Sequence, residues 1–241
     1  MLEALYNAIR RDAKPEEVTI GGRKYTTAQV YPVTLKAPGL LTVTTLSGFV
    51  DYINDNVDKH EIGNLLCHVE SPNSVALYSA LLGDFNQRFA YLRAENEQLQ
   101  LPLNQFIPAE KFNLLLQSCF VEPDDEAKAT DRGLVLRYSA NVKTVVEGAQ
   151  EDNGVTQTVT AKAGIASVRN EPMPNPVLLR PYRTFVEVEQ PASKFVFRAR
   201  SGEDGVSFNL VEADGGAWKG EAMQNIKNYL KKAVPSLNII A

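Results

Sequence analysis

The sequence has few of the residues from which metal sites and disulfide frameworks are built. Its 241 residues contain two cysteines and two histidines. Cys67 and Cys119 are far apart, and each lies within an apolar pattern, which indicates buried, reduced thiols rather than a disulfide framework. His60 and His68 have no cysteine or HExxH-type companion, so they do not form a zinc ligand set. We therefore expect neither a metal centre nor disulfide cross-links.

Long apolar runs and an excess of positive charge are also absent. The longest apolar runs, such as residues 114–116 and 134–136, fall far short of the roughly 20 residues that a bilayer span needs. The N-terminal segment MLEALYNAIRRDAK lacks the basic start and long apolar core of a secretion signal. The formal net charge of −4 argues against a generally basic surface that binds duplex nucleic acid and leaves only a local basic groove for such a role. These absences predict a soluble, cytoplasmic protein with no membrane partner.

The motifs of common catalytic and nucleotide sites are missing as well. The sequence contains no GxSxG elbow, no GxxxxGK[ST] phosphate loop and no GxGxxG fingerprint. Because no complete catalytic site is recognisable, we predict a protein that is not an enzyme and that carries no cofactor.

Alternating apolar residues predict several hairpin strands. Gly21-Gly22 lies between two short strand-like segments and predicts a tight hairpin. Residues 65–69, 75–78 and 88–94 alternate and predict a three-stranded antiparallel meander. Further strands are expected at 155–161 and 165–169, and residues 195–198 and 206–210 predict a hairpin around the turn SGEDG.

Three-and-four spacing of apolar residues predicts helices in five places. They are the first dozen residues, a helix that Thr45 or Ser47 caps and that stops near Asn56, a helix that starts near Pro108 and continues through 112–119, residues 126–148 and residues 218–233. Strands in runs, interrupted by occasional helices, favour an α+β fold, with antiparallel sheets of hairpins and meanders and about four to five packed helices. We expect a single domain over 1–241. The alternative is two lobes, a strand and helix lobe over 1–150 and a hairpin plus C-terminal helix lobe over 151–241.

Two acidic groups are candidates for a divalent cation site. Glu122, Asp124, Asp125 and Glu126 are close in sequence, and hard cations require converging carboxylates. Their spacing matches no defined loop, and acids at a helix start also stabilise the helix without a metal. Glu187 and Glu189 lie two residues apart in an expected strand and thus on one face, but paired surface charges are the commoner arrangement.

The segment RPYRTF, at residues 180–185, mixes arginines with aromatic residues. Arg180, Tyr182 and Arg183 are joined by Arg198 and Arg200, which share one face of an expected strand. Arginines that contact phosphates beside aromatic rings that stack on bases are typical of single-stranded nucleic-acid binding. The alternative is a network of arginine–carboxylate pairs with core aromatics.

The apolar end of the sequence, LNIIA, is a candidate oligomer contact. Leu237, Ile239 and Ile240 could pair with a neighbouring copy by strand addition, since exposed edge strands template such contacts. The alternative is a tail that folds back onto its own sheet.

Several stretches resemble the YfdQ-like family of phage and prophage proteins. They are PNPVLLRPYRTFVEVEQPASKFVFRAR, EADGGAW and the closing helix with its IIA end. The similarity is strongest over 155–241, and HVESPNSVALY and FNLLLQSCF are similar upstream. The resemblance implies a phage or prophage protein in a bacterial host cell, in a setting of early functions such as recombination and single-strand handling. It implies no biochemical activity, cofactor or catalytic residue.

Three hypotheses of function follow. The first is a non-enzymatic phage or prophage accessory protein that self-assembles as a homo-oligomer or binds a host or phage protein. The second is a single-stranded nucleic-acid-binding accessory of phage recombination or replication, which acts through the arginines and Tyr182. The third is a metal-assisted hydrolase that uses the acidic groups.

Overall fold

The chain divides into two compact units, Met1–Ala37 and Pro38–Ala241. The computed structural model describes residues 2, 17–26, 37–83, 86–97, 99–122, 130–141, 158–163, 167–172, 174–203 and 205–241. Apart from Leu2, the helix expected over the first dozen residues lies outside the described residues. The same holds for both ends of the helix expected over 126–148, of which the described part is helical from Arg132 to Asn141.

Thirteen strands, four α-helices and a short 3-10 helix, Ile62–Asn64, have their bounds in these ranges. The strands are β1 (Glu17–Ile20), β2 (Arg23–Thr26), β3 (Leu41–Val43), β4 (Leu66–Ser71), β5 (Ser74–Tyr78), β6 (Ala90–Glu95), β7 (Ile107–Pro108), β8 (Thr158–Ala163), β9 (Ser167–Pro172), β10 (Val177–Leu179), β11 (Ser193–Gly202), β12 (Gly205–Glu212) and β13 (Asn238–Ile240). The helices are α1 (Leu46–Asp55), α2 (Ala109–Cys119), α3 (Arg132–Asn141) and α4 (Trp218–Ala233). The expected α+β fold is confirmed. None of the described helices is long and apolar enough to cross a membrane.

The unit Met1–Ala37 contains the hairpin expected at Gly21-Gly22. Strands β1 and β2 pair antiparallel, with Ile20 opposite Arg23. Both glycines adopt a positive φ, 60° at Gly21 and 81° at Gly22. A two-residue turn of this kind requires that conformation, which glycine adopts without steric cost.

A five-stranded sheet forms one half of the unit Pro38–Ala241. Its order is β13-β4-β5-β6-β3, with antiparallel pairing in the centre and parallel pairing at both edges. The central strands β4, β5 and β6 confirm the expected meander. Helices α1 and α4 pack on one face, where Phe49, Leu77 and Ile226 share a core.

Helix α1 begins and ends where its sequence predicts. Thr45 has an extended backbone, and its Oγ1 accepts a hydrogen bond from Gly48 N at 3.1 Å, which satisfies one free amide of the first turn. Asn56 ends the helix in the left-handed conformation, which asparagine tolerates better than most residues. Between them the buried residues recur at helical spacing.

A four-stranded antiparallel sheet, ordered β10-β11-β12-β7, forms the other half. The expected hairpin over 195–210 is confirmed as β11 and β12, with Phe197 opposite Leu210. The inner face of this sheet packs on α2 and α3. Phe112 of α2 lies over Phe197 and Phe208, with ring centroids 5.6 and 5.2 Å away. We call the opposite side the outer face.

The two large sheets mix early and late parts of the chain. The C-terminal strand β13 pairs with β4, and β7 pairs with the late strand β12. A division near residue 150 therefore does not fall between the two sheets. Strands β8 and β9 pair with each other at about the expected positions, with Ala163 opposite Ser167.

The outer edge of β10 is closed by a side chain. Leu178 N donates to Asp131 Oδ2 at 2.7 Å, and Asp131 N donates to Leu178 O at 2.9 Å. Asp131 therefore satisfies the two backbone groups that a further strand would otherwise pair. The side-chain amide of Asn175 likewise extends β10, because it donates to Phe197 O and accepts from Phe197 N.

We predict that Phe197→Ala destabilises the protein by about 4 kcal/mol, because it leaves a cavity between two stacked rings. Leu114→Ala is the control, since Leu114 is largely exposed on α2, and its change should stay within about 0.5 kcal/mol. The free energy of unfolding in urea measures both. Equal costs for the two variants would contradict the stacked core.

Candidate binding surfaces

The segment RPYRTF belongs to a loop, residues 180–192, that joins β10 to β11. The prediction of a strand over 187–189 is wrong, because these residues turn. The buried amide of Gln190 holds the turn: its Oε1 accepts from Arg183 N and Thr184 N, and its Nε2 donates to Phe185 O and Val188 O. These four bonds are the full capacity of a side-chain amide.

This loop connects the two halves of the unit. Phe185 and Val188 are buried in the core beneath the five-stranded sheet. Thr184 Oγ1 donates to Pro72 O in the turn between β4 and β5. On the other side, Tyr182 N donates to Cys119 O at 2.9 Å, at the end of α2. The loop is thus fixed from both sheets.

Arg183 is buried, with 4% of its surface exposed. Its guanidinium pairs with Glu212, donates to Ser193 Oγ and lies 4.0 Å from the centre of the Trp218 ring. Burial lowers the pKa of Arg183, although the charges of Glu212 and Asp214 oppose the shift. Arg183 is therefore buried and paired with a carboxylate. This matches the alternative interpretation of the segment RPYRTF, a network of arginine–carboxylate pairs.

Asp214, which lies just before α4, completes this network. Its carboxylate accepts from Ser193 Oγ at 2.6 Å and from Gly216 N at 3.0 Å. Partial burial acts to raise the pKa of Asp214, but these hydrogen bonds and the charge of Arg183 outweigh it and hold the pKa below its ordinary value.

The described acids of the two candidate groups each contact a different partner. Glu187 Oε1 accepts from Ser47 N at 3.2 Å at the start of α1, whereas Glu189 pairs with Arg180 at 3.4 Å. Glu122 pairs with Arg132 at 3.7 Å. The other three acids, Asp124, Asp125 and Glu126, lie outside the described residues. In the described part, no three His, Cys, Asp or Glu residues are grouped so that they could hold a metal ion.

Arg198 and Arg200 share the outer face of the four-stranded sheet. They alternate along β11 with the buried Phe197 and Ala199. Arg200 is exposed, and its guanidinium lies 4.4 Å from the centre of the Phe106 ring. Of the five predicted contact residues, the structure brings these two together. Arg180 and Tyr182 lie in the loop at 180–192, and Arg183 is buried there.

Three further residues of this face were not singled out from the sequence. Lys194 is exposed on the same side of β11, two alternations before Arg198. Asn209 lies directly opposite Arg198 on β12, is 8% exposed, and its Oδ1 has no hydrogen-bond partner. Phe106 precedes β7. Alternation along β11 could have identified Lys194, but cross-strand register was needed for the other two.

A second polar cluster lies on the five-stranded sheet, on the side opposite α1 and α4. Glu70 accepts from Tyr78 Oη at 2.6 Å and from Ser74 Oγ at 2.9 Å, and it lies 3.5 Å from Arg93. Partial burial acts to raise the pKa of Glu70, but these three partners outweigh it and lower the pKa. Each partner stabilises the charged form of the Glu70 carboxylate. Because Glu70 belongs to β4, Tyr78 and Ser74 to β5, and Arg93 to β6, the cluster links three strands.

His60 contacts two tyrosines, Tyr91 and Tyr52. Its ring stacks on Tyr91, with centroids 4.5 Å apart, and its Nε2 is 3.3 Å from Tyr52 Oη. Tyr52 Oη also donates to Asp58 at 2.6 Å. Burial and this hydrogen bond raise the pKa of Tyr52 well above its ordinary value, so its hydroxyl is unsuited to act as a base.

The C-terminal tail folds back onto its own sheet. Ile239 pairs with Cys67 in the parallel ladder of β13 and β4. Leu237 and Ile239 are buried in the core of this chain, whereas Ile240 is 47% exposed. Of the three predicted oligomer contacts, only Ile240 presents its side chain to solvent.

No family model, no curated protein and no solved structure matches the chain. The similarity of residues 155–241 to the YfdQ-like family therefore stays a prediction from the sequence.

We predict that Arg183→Met lowers the free energy of unfolding by about 3 kcal/mol, because it leaves the carboxylates of Glu212 and Asp214 without their buried counter-charge. Arg183→Lys should recover only part of this loss, since a single ammonium does not reproduce the forked contacts. Arg200→Met on the exposed face is the control. Urea denaturation that finds Arg183→Met no costlier than the control would contradict the proposed role.

We predict that Ser193→Ala destabilises the protein most near neutral pH. The depressed pKa of Asp214 contributes stability above its unfolded pKa, about 3.9, and this contribution is lost as pH falls towards the folded pKa. Without the Ser193 donor the pKa of Asp214 should rise, so the difference in stability from wild type should shrink below about pH 4. Unfolding measured across pH tests this; a difference that is constant with pH would count against it.

Proposed function

We propose that the chain is a non-enzymatic phage or prophage accessory protein that acts by self-association in the cytoplasm of the bacterial host cell. The observation that carries the proposal is the state of the five-stranded sheet, whose two edge strands are both open among the described residues. The phage setting rests on the resemblance of residues 155–241 to the YfdQ-like family.

Each open edge presents apolar surface. Leu40 and Leu41, at β3, are 47% and 49% exposed, and Ile240 of β13 is 47% exposed at the other edge. Unpaired edges with exposed apolar residues template the addition of another strand. By contrast, Asp131 closes the β10 edge of the four-stranded sheet.

The directions of the edge strands suit a head-to-tail contact between copies. Strand β13 is parallel to β4, β3 is parallel to β6, and both β4 and β6 are antiparallel to β5. Strands β13 and β3 therefore run in the same direction. A second copy related by translation could place its β3 beside β13 in the parallel sense that both strands already use.

The non-enzymatic part of the proposal is supported by what the candidate acids contact. Glu187 is hydrogen-bonded at the start of α1, Glu189 is paired with Arg180, and Glu122 with Arg132. Metal-assisted hydrolysis needs carboxylates that converge on one ion, and these three acids are used singly.

We predict that the native mass of the protein exceeds one chain and rises with concentration, because three-residue edges provide few hydrogen bonds. Ile240→Lys and Leu41→Lys should each lower the native mass towards that of a monomer, since an edge lysine opposes strand addition. Leu114→Lys, an exposed leucine on α2, is the matched control. Native mass spectrometry and light scattering measure the three variants.

A mixture of the two edge variants distinguishes a head-to-tail contact from a twofold contact. In a head-to-tail contact, Ile240→Lys keeps an intact β3 edge and Leu41→Lys an intact β13 edge, so the mixture should form heterodimers. A twofold contact between identical edges would not recover in this way. A wild-type protein that stays monomeric at all concentrations would overturn the proposal.

A further inference from the structure

The outer face of the four-stranded sheet carries a row of positive charges. Lys194, Arg198 and Arg200 lie on the same side of β11, and Arg198 and Arg200 are about 7 Å apart along the strand. We call these three residues, with Phe106 and Asn209, the basic face. Lys194 and Arg200 are exposed to solvent.

No described strand residue on this side of the sheet is acidic. The other strand residues on this side are Pro108, Leu178, Val196, Gly202, Gly205, Ser207, Asn209 and Val211. The chain as a whole has a net charge of −4, so a cationic strip free of strand carboxylates is a local departure from the average surface. Such a strip is complementary to a polyanion.

Aromatic and amide groups accompany the charges. The Arg200 guanidinium lies over the Phe106 ring, and both arginine planes and aromatic rings are surfaces on which nucleobases stack. Asn209 adds an acceptor: its Oδ1 is buried opposite Arg198 without a hydrogen-bond partner. A buried polar atom left unpaired carries a free-energy cost that a ligand donor, such as a base amino group, would remove.

We infer that the basic face binds single-stranded nucleic acid, with the backbone along β11 and bases against Phe106 and Asn209. Stacking and the buried acceptor favour unpaired bases over an acidic peptide, which needs only the charges. A duplex hides its bases from a flat sheet face, so the single strand is the better fit. This inference goes beyond self-association and uses a different sheet.

Fluorescence anisotropy with a labelled mixed-sequence DNA strand at low salt tests the inference. Lys194→Gln/Arg200→Gln should weaken binding at least tenfold and reduce the slope of log K against log salt by about 1.4, the value for two phosphate contacts to a single strand. Lys111→Gln/Arg137→Gln is the matched control. It removes one lysine and one arginine, both exposed, from the helices on the opposite side of the sheet.

Phe106→Leu isolates the stacking contribution. It should weaken binding about tenfold with an unchanged salt slope, since a ring and not a charge is removed. Wild-type binding that is absent at low salt, or is weakened equally by the control pair, overturns the inference. Competition by polyglutamate or by the duplex as strong as that by the unlabelled single strand also overturns it.

Self-association and nucleic-acid binding by the basic face can be tested independently. Ile240→Lys should leave binding to a short strand unchanged, because Ile240 lies on the five-stranded sheet. A wild-type protein that binds the strand but stays monomeric would therefore count against the proposed function alone. A wild-type protein that self-associates but does not bind the strand would count against the basic face alone.

Discussion

A buried guanidinium, that of Arg183, fixes the relation between the two sheets of the unit Pro38–Ala241. An arginine is removed from water at low cost only if carboxylates and hydrogen-bond acceptors surround it. Glu212 ends β12, Ser193 begins β11 and Trp218 begins α4, so one side chain joins three elements. The same loop places Phe185 in the core of the other sheet. Both candidate surfaces depend on this junction.

The junction also accounts for groups that would otherwise invite a catalytic interpretation. Glu187 and Glu189 differ by two positions, yet one hydrogen-bonds at the start of α1 and the other pairs with Arg180. Asp214 accepts hydrogen bonds from Ser193 Oγ and Gly216 N, and these bonds together with the charge of Arg183 hold its pKa below the ordinary value. These acids thus have structural partners, which leaves the sheet edges and the basic face as the proposed sites of interaction.

Local patterns predicted most elements, whereas residue roles depended on distant contacts. The hairpin of β11 and β12 and helix α1 follow from alternation and capping within short windows. The sequence VEVE at residues 186–189 alternates like a strand, but Gln190 binds its backbone into a turn. Arg183 and Arg200 both lie near aromatic residues in sequence. Arg183 is buried against Glu212 and Trp218, about thirty residues later in the sequence, which no local pattern identifies. Likewise, β13 pairs with β4 across most of the chain, which no local pattern reveals.

The two proposed interactions would reinforce each other. The edge strands are three residues long, so each edge provides only weak binding. The basic strip is short and belongs to a protein of net charge −4, so it also binds weakly. The edges belong to one sheet and the basic face to the other, so the two contacts do not compete for the same residues. Head-to-tail addition would repeat one basic face per copy, and a polymer that spans several faces binds with high effective concentration. Because coupling between binding sites is reciprocal, a long strand would then promote assembly as much as assembly promotes its binding.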